Sequence, residues 1–208
     1  MTYEEQLREA ERWLAGHDEV LAPVIEAYGP CTLAPHTDYY QELVEAIIGQ
    51  QLSVKAAAKI RERFLALFGG TFPSPEAILD MDPERLRGVG FSGAKVKYVR
   101  DLAEHVADGR IKFDRIDQQT NDEIIQELTA VKGIGGWTAH MFLMFCVGRL
   151  DILATGDLGI RSGTQKLYGL ETLPSPPELR EIALQRSWTP YESVACWYIW
   201  RSLDNMPA

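Results

Sequence analysis

The sequence predicts an all-α fold of about ten helices joined by short loops. Helix-capping patterns recur along the chain: Thr2 is followed three residues later by Glu5, and Thr120 by Glu123. This spacing is typical of helix N-termini. Stretches that alternate polar and apolar residues, which would indicate strands, are scarce. Of the 208 residues, 46% are hydrophobic and 25% are charged, a composition that excludes a disordered chain and supports a sizeable core.

The individual helices are predicted from their caps and apolar spacing. Thr37 or Asp38 caps a helix with an apolar stripe at 43, 47 and 48, and Ser53 begins another that ends at Gly69-Gly70. Ser74, followed by Pro75, opens a short helix. Further helices are predicted at 92–107, 137–147, 157–168, 176–185 and 191–203. The helix at 137–147 is apolar nearly all round, which predicts that it is buried.

Several classes of protein are excluded by the sequence. No apolar run reaches the ~20 residues of a membrane span, and the acidic N-terminus lacks the apolar core of a secretory signal. Cys31, Cys146 and Cys196 lie far apart with no CxxC, which excludes a disulfide scaffold, a four-cysteine zinc site and a four-cysteine iron–sulfur cluster. We expect buried thiols in a cytoplasmic protein, associated with the nucleoid when acting.

The charge is unevenly distributed. The net charge is -9, but residues 49–115 carry 12 Lys/Arg against 9 Asp/Glu. A base-rich middle in an acidic chain neither establishes nor excludes binding to nucleic acid.

A glycine-rich segment, residues 128–139, offers a phosphate site. A helix is predicted to end near Ala130, and a turn containing Gly133 and Gly135 leads into the next helix. The first N–H groups of a helix lack intrahelical acceptors and lie at the positive end of its dipole, so a phosphate is their natural ligand. The alternative is an ordinary helix–helix turn that needs glycine to bend.

Two other features of the sequence lie outside this segment. Asp157 lies twenty residues after Trp137, between Gly156 and Gly159, where it can be a plain helix cap. Gln50 and Gln51 lie in the loop between two apolar helices. A purely structural role is possible for this loop, with Leu52 in the core and the side-chain amides of Gln50 and Gln51 capping helix ends.

Taken together, these motifs resemble the helix-hairpin-helix superfamily of DNA glycosylases, which is marked by a Gly-rich hairpin followed by an aspartate. Within it, the sequence is similar to the alkylation-repair branch, the 3-methyladenine DNA glycosylase II type. The matching stretches lie at 47–53, 90–103, 128–139, 157 and 188–191.

The resemblance implies a bilobal fold with the active site in the cleft between lobes. One lobe would be assembled from residues 1–38 and 148–208 and carry the aspartate, and residues 39–147 would form the lobe with the hairpin. The implied activity is excision of alkylated bases of the 3-methyladenine and 7-methylguanine type, by hydrolysis of the N-glycosidic bond in double-stranded DNA. Oligomeric state leaves no signal in the sequence, so a monomer with no obligate protein partner is the default expectation.

The resemblance also implies a role for each matched residue. Asp157 would be catalytic. The other roles are a base pocket of Trp137, Tyr191, Gln50 and Met141, insertion into the base stack by Gln51 and Leu52, and binding of the DNA backbone by Gly133, Gly135 and Thr138.

No cofactor is expected for catalysis, and no iron–sulfur cluster. A structural Na+ or K+ is implied at the hairpin, on the backbone carbonyls of Thr129, Val131 and Ile134. Trp137 occupies the position where lyase members of the superfamily place a lysine, so no lyase activity is expected.

Three other functions stay open at this point. The first is a non-catalytic helix-hairpin-helix module that only binds DNA. The second is a glycosylase for a different lesion, and the third is a helical scaffold that binds a protein partner.

Overall fold

The computed structural model describes residues 1–203, and every regular element in that range is helical. These residues form twelve α-helices, one 3-10 helix and one π-helical turn. The all-α prediction is confirmed, and the observed helices slightly outnumber the ten or so that the sequence predicts. None of the helices within this range combines the length and the apolar composition needed to cross a membrane.

The chain packs into two compact units. The central unit is Thr37–Phe142, and the discontinuous unit combines Met1–His36 with the residues from Leu143 onwards. The sequence predicts these two boundaries after residues 38 and 147, whereas the structure has them after residues 36 and 142.

The central unit is built around the long helix α7 (Gly93–Ala107), on which α3 (Tyr39–Gly49) and α5 (Pro75–Asp80) pack. Its ring-rich core includes Phe64, whose ring stacks on Phe91 with centroids 5.5 Å apart. The elements of this unit are α3 (Tyr39–Gly49), α4 (Val54–Leu67), α5 (Pro75–Asp80), α6 (Pro83–Gly88), α7 (Gly93–Ala107), the 3-10 helix (Phe113–Gln118), α8 (Asn121–Thr129) and α9 (Gly136–Met141).

The discontinuous unit joins the two ends of the chain through its last helix. Its elements are α1 (Tyr3–His17), α2 (Leu21–Tyr28), the π-helical turn (Phe142–Val147), α10 (Leu158–Leu167), α11 (Pro176–Gln185) and α12 (Glu192–Ser202). α12 packs on α10, α2 and α1. Buried Asp18 accepts hydrogen bonds from the Trp188 indole at 2.8 Å and from the Tyr168 hydroxyl. These donors satisfy a carboxylate that lies in the interior of the unit.

Most of the predicted caps are confirmed. Thr2 and Thr120 form capping boxes with Glu5 and Glu123, and the hydroxyls of Ser53 and Ser74 accept from the N–H three residues on. Ser92, placed by the sequence inside its helix, is also a cap of this kind.

The capping prediction for α3 is wrong. Asp38 stands at the N-cap, but its side chain makes no capping hydrogen bond and its φ and ψ are -81° and 53°, outside the extended conformation that capping residues adopt.

The helix predicted at 137–147 differs in two respects. It is a short α-helix, Gly136–Met141, that continues as the π-helical turn. Trp137, in the first turn of α9, is 48% exposed rather than buried. The apolar residues farther along, Phe142, Leu143 and Met144, are the buried ones.

The three cysteines are buried free thiols, as predicted. Burial raises the pKa of Cys31 and of Cys196 to about 12. Thiols in this state are poor nucleophiles and metal ligands.

Candidate functional site

The hairpin between α8 and α9 needs its two glycines for different reasons. Gly133 has a φ of +86°, and a Cβ there would lie 2.2 Å from a ring carbon of Tyr98. Both the left-handed backbone and the close ring therefore demand glycine. Gly135 has a φ of -100° and open space around its Cβ position. The fold itself therefore does not require glycine at this position. The missing side chain leaves space on the exposed side of the hairpin for a ligand to approach the backbone.

The start of the hairpin is fixed by a buried carboxylate on α7. Asp101 accepts the Lys132 backbone N–H at 2.9 Å on one oxygen and pairs with the Lys132 ammonium at 2.6 Å on the other. Burial by itself would raise the pKa of Asp101, but the hydrogen bonds and the charge of Lys132 outweigh it and hold the pKa below its usual value. The Lys132 side chain is thus engaged with α7.

The hairpin presents N–H groups on its exposed side. Gly135 and Trp137 are exposed and Thr138 is half-buried, whereas Val131 and Ile134 are buried and hold the turn in the unit. The N–H groups at the start of α9, including that of Thr138, have no acceptor within the helix.

The carbonyls that the sequence assigned to a cation lie at the end of α8 and in the turn. The Thr129 hydroxyl donates to the carbonyl of Ile125 at 2.7 Å, so this side chain is held within α8. The Val131 carbonyl accepts the Ile134 N–H at 3.1 Å, which leaves its second lone pair for a ligand.

The loop between α3 and α4 is a strained, exposed turn that contacts the hairpin. Gln51 has a φ of +58°, which is uncommon for a residue with a side chain. Leu52 is 38% exposed, so the alternative that buries it in the core is wrong. The side-chain nitrogen of Gln50 donates to the Gly133 carbonyl at 2.8 Å, and this bond joins the two loops within the central unit.

Asp157 is a helix cap and more. It is the N-cap of α10, and its Oδ1 accepts the Ile160 N–H at 2.8 Å. The same oxygen accepts the indole N–H of Trp200 at 2.9 Å. Two donors therefore fix the orientation of a half-buried carboxylate in the discontinuous unit.

Trp200 is the site residue that sequence reasoning missed. It lies on the last helix among apolar residues at helical spacing, which is typical of the core, and it is 1% exposed. Helical spacing reveals burial but cannot show where an indole N–H points, so the bond to Asp157 left no signal in the sequence.

The other predicted aromatic residues fall in different places. Trp137 is exposed on the first turn of α9, with half-buried Met141 one turn later. Tyr191 packs edge-on against Trp13 of α1, with ring centroids 6.3 Å apart. Burial, and then the neighbouring Glu9 carboxylate, raise the pKa of the Tyr191 phenol.

Comparison with known proteins places this arrangement among DNA repair proteins. Residues 44–190 match the sequence model of the HhH-GPD superfamily base excision DNA repair proteins. The chain is 35% identical to DNA-3-methyladenine glycosylase 1 of Schizosaccharomyces pombe, over 94% of this chain and 87% of the relative.

Solved structures agree with the sequence comparison. The chain resembles the 3-methyladenine DNA glycosylase of the same yeast, solved in complex with abasic DNA, with a TM-score of 0.81, 34% identity and coverage of 94% of this chain and 97% of that one. It also resembles a DNA-3-methyladenine glycosidase of Bacillus halodurans, with a TM-score of 0.85, 39% identity and coverage of 93% and 88%.

Proposed function

The chain belongs to the HhH-GPD superfamily of base excision DNA repair proteins, and from that premise we propose that it is a monofunctional, monomeric DNA glycosylase that removes alkylated bases from double-stranded DNA. The observation that carries the proposal is the Asp157 carboxylate, fixed by the Ile160 N–H and the Trp200 indole. A relative 35% identical over 94% of the chain bears the name of a 3-methyladenine glycosylase.

DNA binding begins at the hairpin. The N–H groups of Gly133, Gly135 and Thr138 receive a backbone phosphate, and the missing Cβ of Gly135 lets that phosphate come close. Such contacts hold DNA without reading its sequence. A local site of this kind also explains how a chain with a net charge of -9 binds a polyanion.

A monovalent cation would be held at the hairpin by three backbone carbonyls. The carbonyls of Thr129, Val131 and Ile134 are neutral oxygen donors, which suit Na+ or K+. The end of α8 supports this fit, because the last carbonyls of a helix lack intrahelical donors. A bound cation would add positive charge beside the phosphate.

Base excision requires the damaged nucleotide to leave the duplex. Gln51 and Leu52 are exposed at the tip of the α3–α4 turn, and we assign them to fill the gap in the base stack. Gln50 braces the same turn against the hairpin through its bond to Gly133. An alkylated base pairs weakly, so its extrusion costs less.

The flipped base is cationic when a ring nitrogen is alkylated. The exposed face of Trp137 attracts such a cation, and Met141 and Gln50 complete this part of the pocket. The resemblance also assigns Tyr191, which packs on Trp13, to binding the base.

Asp157 drives the chemical step. As the C1′–N bond breaks, its electron pair goes to the base, which leaves as a neutral molecule. The sugar develops oxocarbenium character that the carboxylate stabilises. Water then adds to C1′ and gives its proton to Asp157. The leaving base needs no general acid, so one carboxylate suffices.

The product is an abasic site in an unbroken strand. A lyase requires an amine that forms a Schiff base with C1′, and the matching position holds Trp137. Lys132 in the same hairpin is paired with Asp101.

The test is a panel of duplexes, each carrying one alkylated base, incubated with the protein under single-turnover conditions. We expect release of free base by the wild type and loss of roughly 10³-fold or more in the Asp157→Asn variant, because the charge that stabilises the transition state is removed. The asparagine keeps an oxygen that can cap α10, so folding and DNA affinity should be retained.

Two results would sink the proposal. Binding of every duplex without base release by the wild type would favour a module that only binds DNA. Excision by Asp157→Asn at close to the wild-type rate would remove Asp157 from the chemistry.

A further inference from the structure

One lysine of the central unit lies outside the site described above and binds the end of α3 where the α3–α4 turn begins. The ammonium of Lys95, on the first turn of α7, donates to the Ile48 carbonyl at 2.6 Å and to the Gln50 carbonyl at 2.9 Å. Its side chain is half-buried, and desolvation lowers its pKa.

These two carbonyls belong to the end of α3 and to its C-cap residue. The last carbonyls of a helix lack intrahelical donors, and a lysine can satisfy them. Here the lysine comes from another helix, so the same bonds that cap α3 also attach the turn to α7.

The attachment lies next to the strained residue. Gln51, at φ +58°, directly follows the Gln50 carbonyl that Lys95 holds. A side-chain-bearing residue stays in this conformation only when its surroundings fix it. Lys95 supplies that constraint through the Gln50 carbonyl, and the Gln50 side chain, bonded to Gly133, holds the same residue at its amide end.

The same helix also carries the anchors of the hairpin. Lys95, Tyr98 and Asp101 are spaced three residues apart and so lie along one side of α7. Tyr98 lies beneath Gly133, and Asp101 holds the backbone and side chain of Lys132. One rigid helix therefore sets the positions of both loops.

We propose that Lys95 is a positioning residue that locks the Gln50–Leu52 turn to α7 and the hairpin, so that the residues entering the base stack are held in place before DNA binds. This inference rests on the proposed function, in which the turn enters the duplex. Lys95 acts through Gln51 and does not touch the reacting atoms.

The first test needs no activity. Amide hydrogen exchange is measured on the folded protein for Lys95→Met and for Lys97→Met, which removes an equal charge from the exposed side of α7. We expect exchange in residues 48–53 to speed up roughly tenfold or more in Lys95→Met, because charge-assisted bonds that close the turn are lost. Lys97→Met should match the wild type.

The second test couples Lys95 to Gln51 through single-turnover excision from a duplex with one alkylated base. We expect Lys95→Met to slow excision roughly tenfold, while its affinity for undamaged DNA equals that of Lys97→Met. In the Gln51→Ala background the same substitution should have no further effect, since residues acting through one contact are not additive.

Unchanged exchange in residues 48–53 would overturn the proposal, as would additive effects of Lys95→Met and Gln51→Ala. Should Lys95→Met fail to fold in a thermal scan, Lys95→Gln, whose shorter and uncharged side chain loses the charge-assisted bonds but keeps a polar end, replaces it under the same criteria. A wild type that releases no base would refute the proposed function alone, because the exchange result decides the role of Lys95 independently.

Discussion

Replacing each hairpin glycine by alanine should separate folding from DNA binding. At Gly133, alanine must adopt a φ of +86° and place its Cβ 2.2 Å from the Tyr98 ring. The left-handed backbone costs about 1–2 kcal/mol, and displacing a packed ring costs about 1–3 kcal/mol more. We expect Gly133→Ala to lose about 2–5 kcal/mol of unfolding free energy, which lowers Tm by roughly 5–15 °C for a domain of this size.

At Gly135 the same change meets open space at a φ of -100°. Alanine adopts this conformation readily and reduces the entropy of the unfolded chain, but Gly135 is the N-cap of α9, where glycine is preferred to alanine. The two effects oppose each other, so Gly135→Ala should change the free energy of unfolding by less than about 1 kcal/mol. The added methyl group would instead hinder the close approach of a DNA phosphate to the hairpin. DNA affinity should drop for damaged and undamaged duplexes alike, since a backbone contact reads no sequence.

Thermal unfolding and fluorescence anisotropy with two duplexes, one damaged and one not, measure these two quantities. The reasoning would be refuted if Gly135→Ala unfolded at a temperature as low as Gly133→Ala. It would also be refuted if Gly135→Ala bound undamaged DNA as tightly as the wild type.

Three further outcomes are expected. Trp200→Phe should lower the single-turnover excision rate roughly 10–100-fold with DNA affinity unchanged, because one donor to the Asp157 carboxylate is lost; a wild-type rate would show that the Ile160 bond alone orients the carboxylate. Borohydride added during turnover should trap no covalent complex, and strands should break only after alkali; trapping would show that an amine attacks C1′. Because Lys132 lowers the pKa of Asp101, the stability from this pair is present above the ordinary carboxyl pKa of about 4 and is lost as the pH falls through the lowered value. The Tm gap between wild type and Asp101→Asn should therefore narrow below about pH 4, and an equal gap at about pH 3 and pH 7 would contradict the assignment.

Much of the fold could be predicted because its signals are local. The capping boxes at Thr2 and Thr120 and the serine caps at 53, 74 and 92 act within four residues. No helix is predicted from the sequence at the position of α6, although Asp82 caps this helix and Pro83 is its first residue. Its six residues are too few for an apolar stripe to reveal.

The candidate site was predictable only in part, since much of it depends on contacts between distant residues. The glycines of the hairpin and Asp157 carry patterns that can be seen in the sequence. The different demands on Gly133 and Gly135 could not be seen, because they come from Tyr98, which lies far back along the chain. The same holds for Lys95, whose acceptors are 47 and 45 residues away.

The discontinuous unit has a consequence for how the protein is made. The indole of Trp188 reaches Asp18 across 170 residues of chain, and the Tyr198 hydroxyl reaches Glu11 across 187. At ribosomal rates of about 5–20 residues per second, α1 must wait roughly 8–35 s for these partners. The central unit, continuous from Thr37 to Phe142, emerges complete in the meantime and can fold first. During that interval α1, with its buried residues Leu7, Ala10 and Leu14, lacks its contacts with α12. Residues 1–48 carry 10 Asp/Glu and only 2 Lys/Arg, and this surplus of negative charge opposes association between nascent chains until the last helix is made.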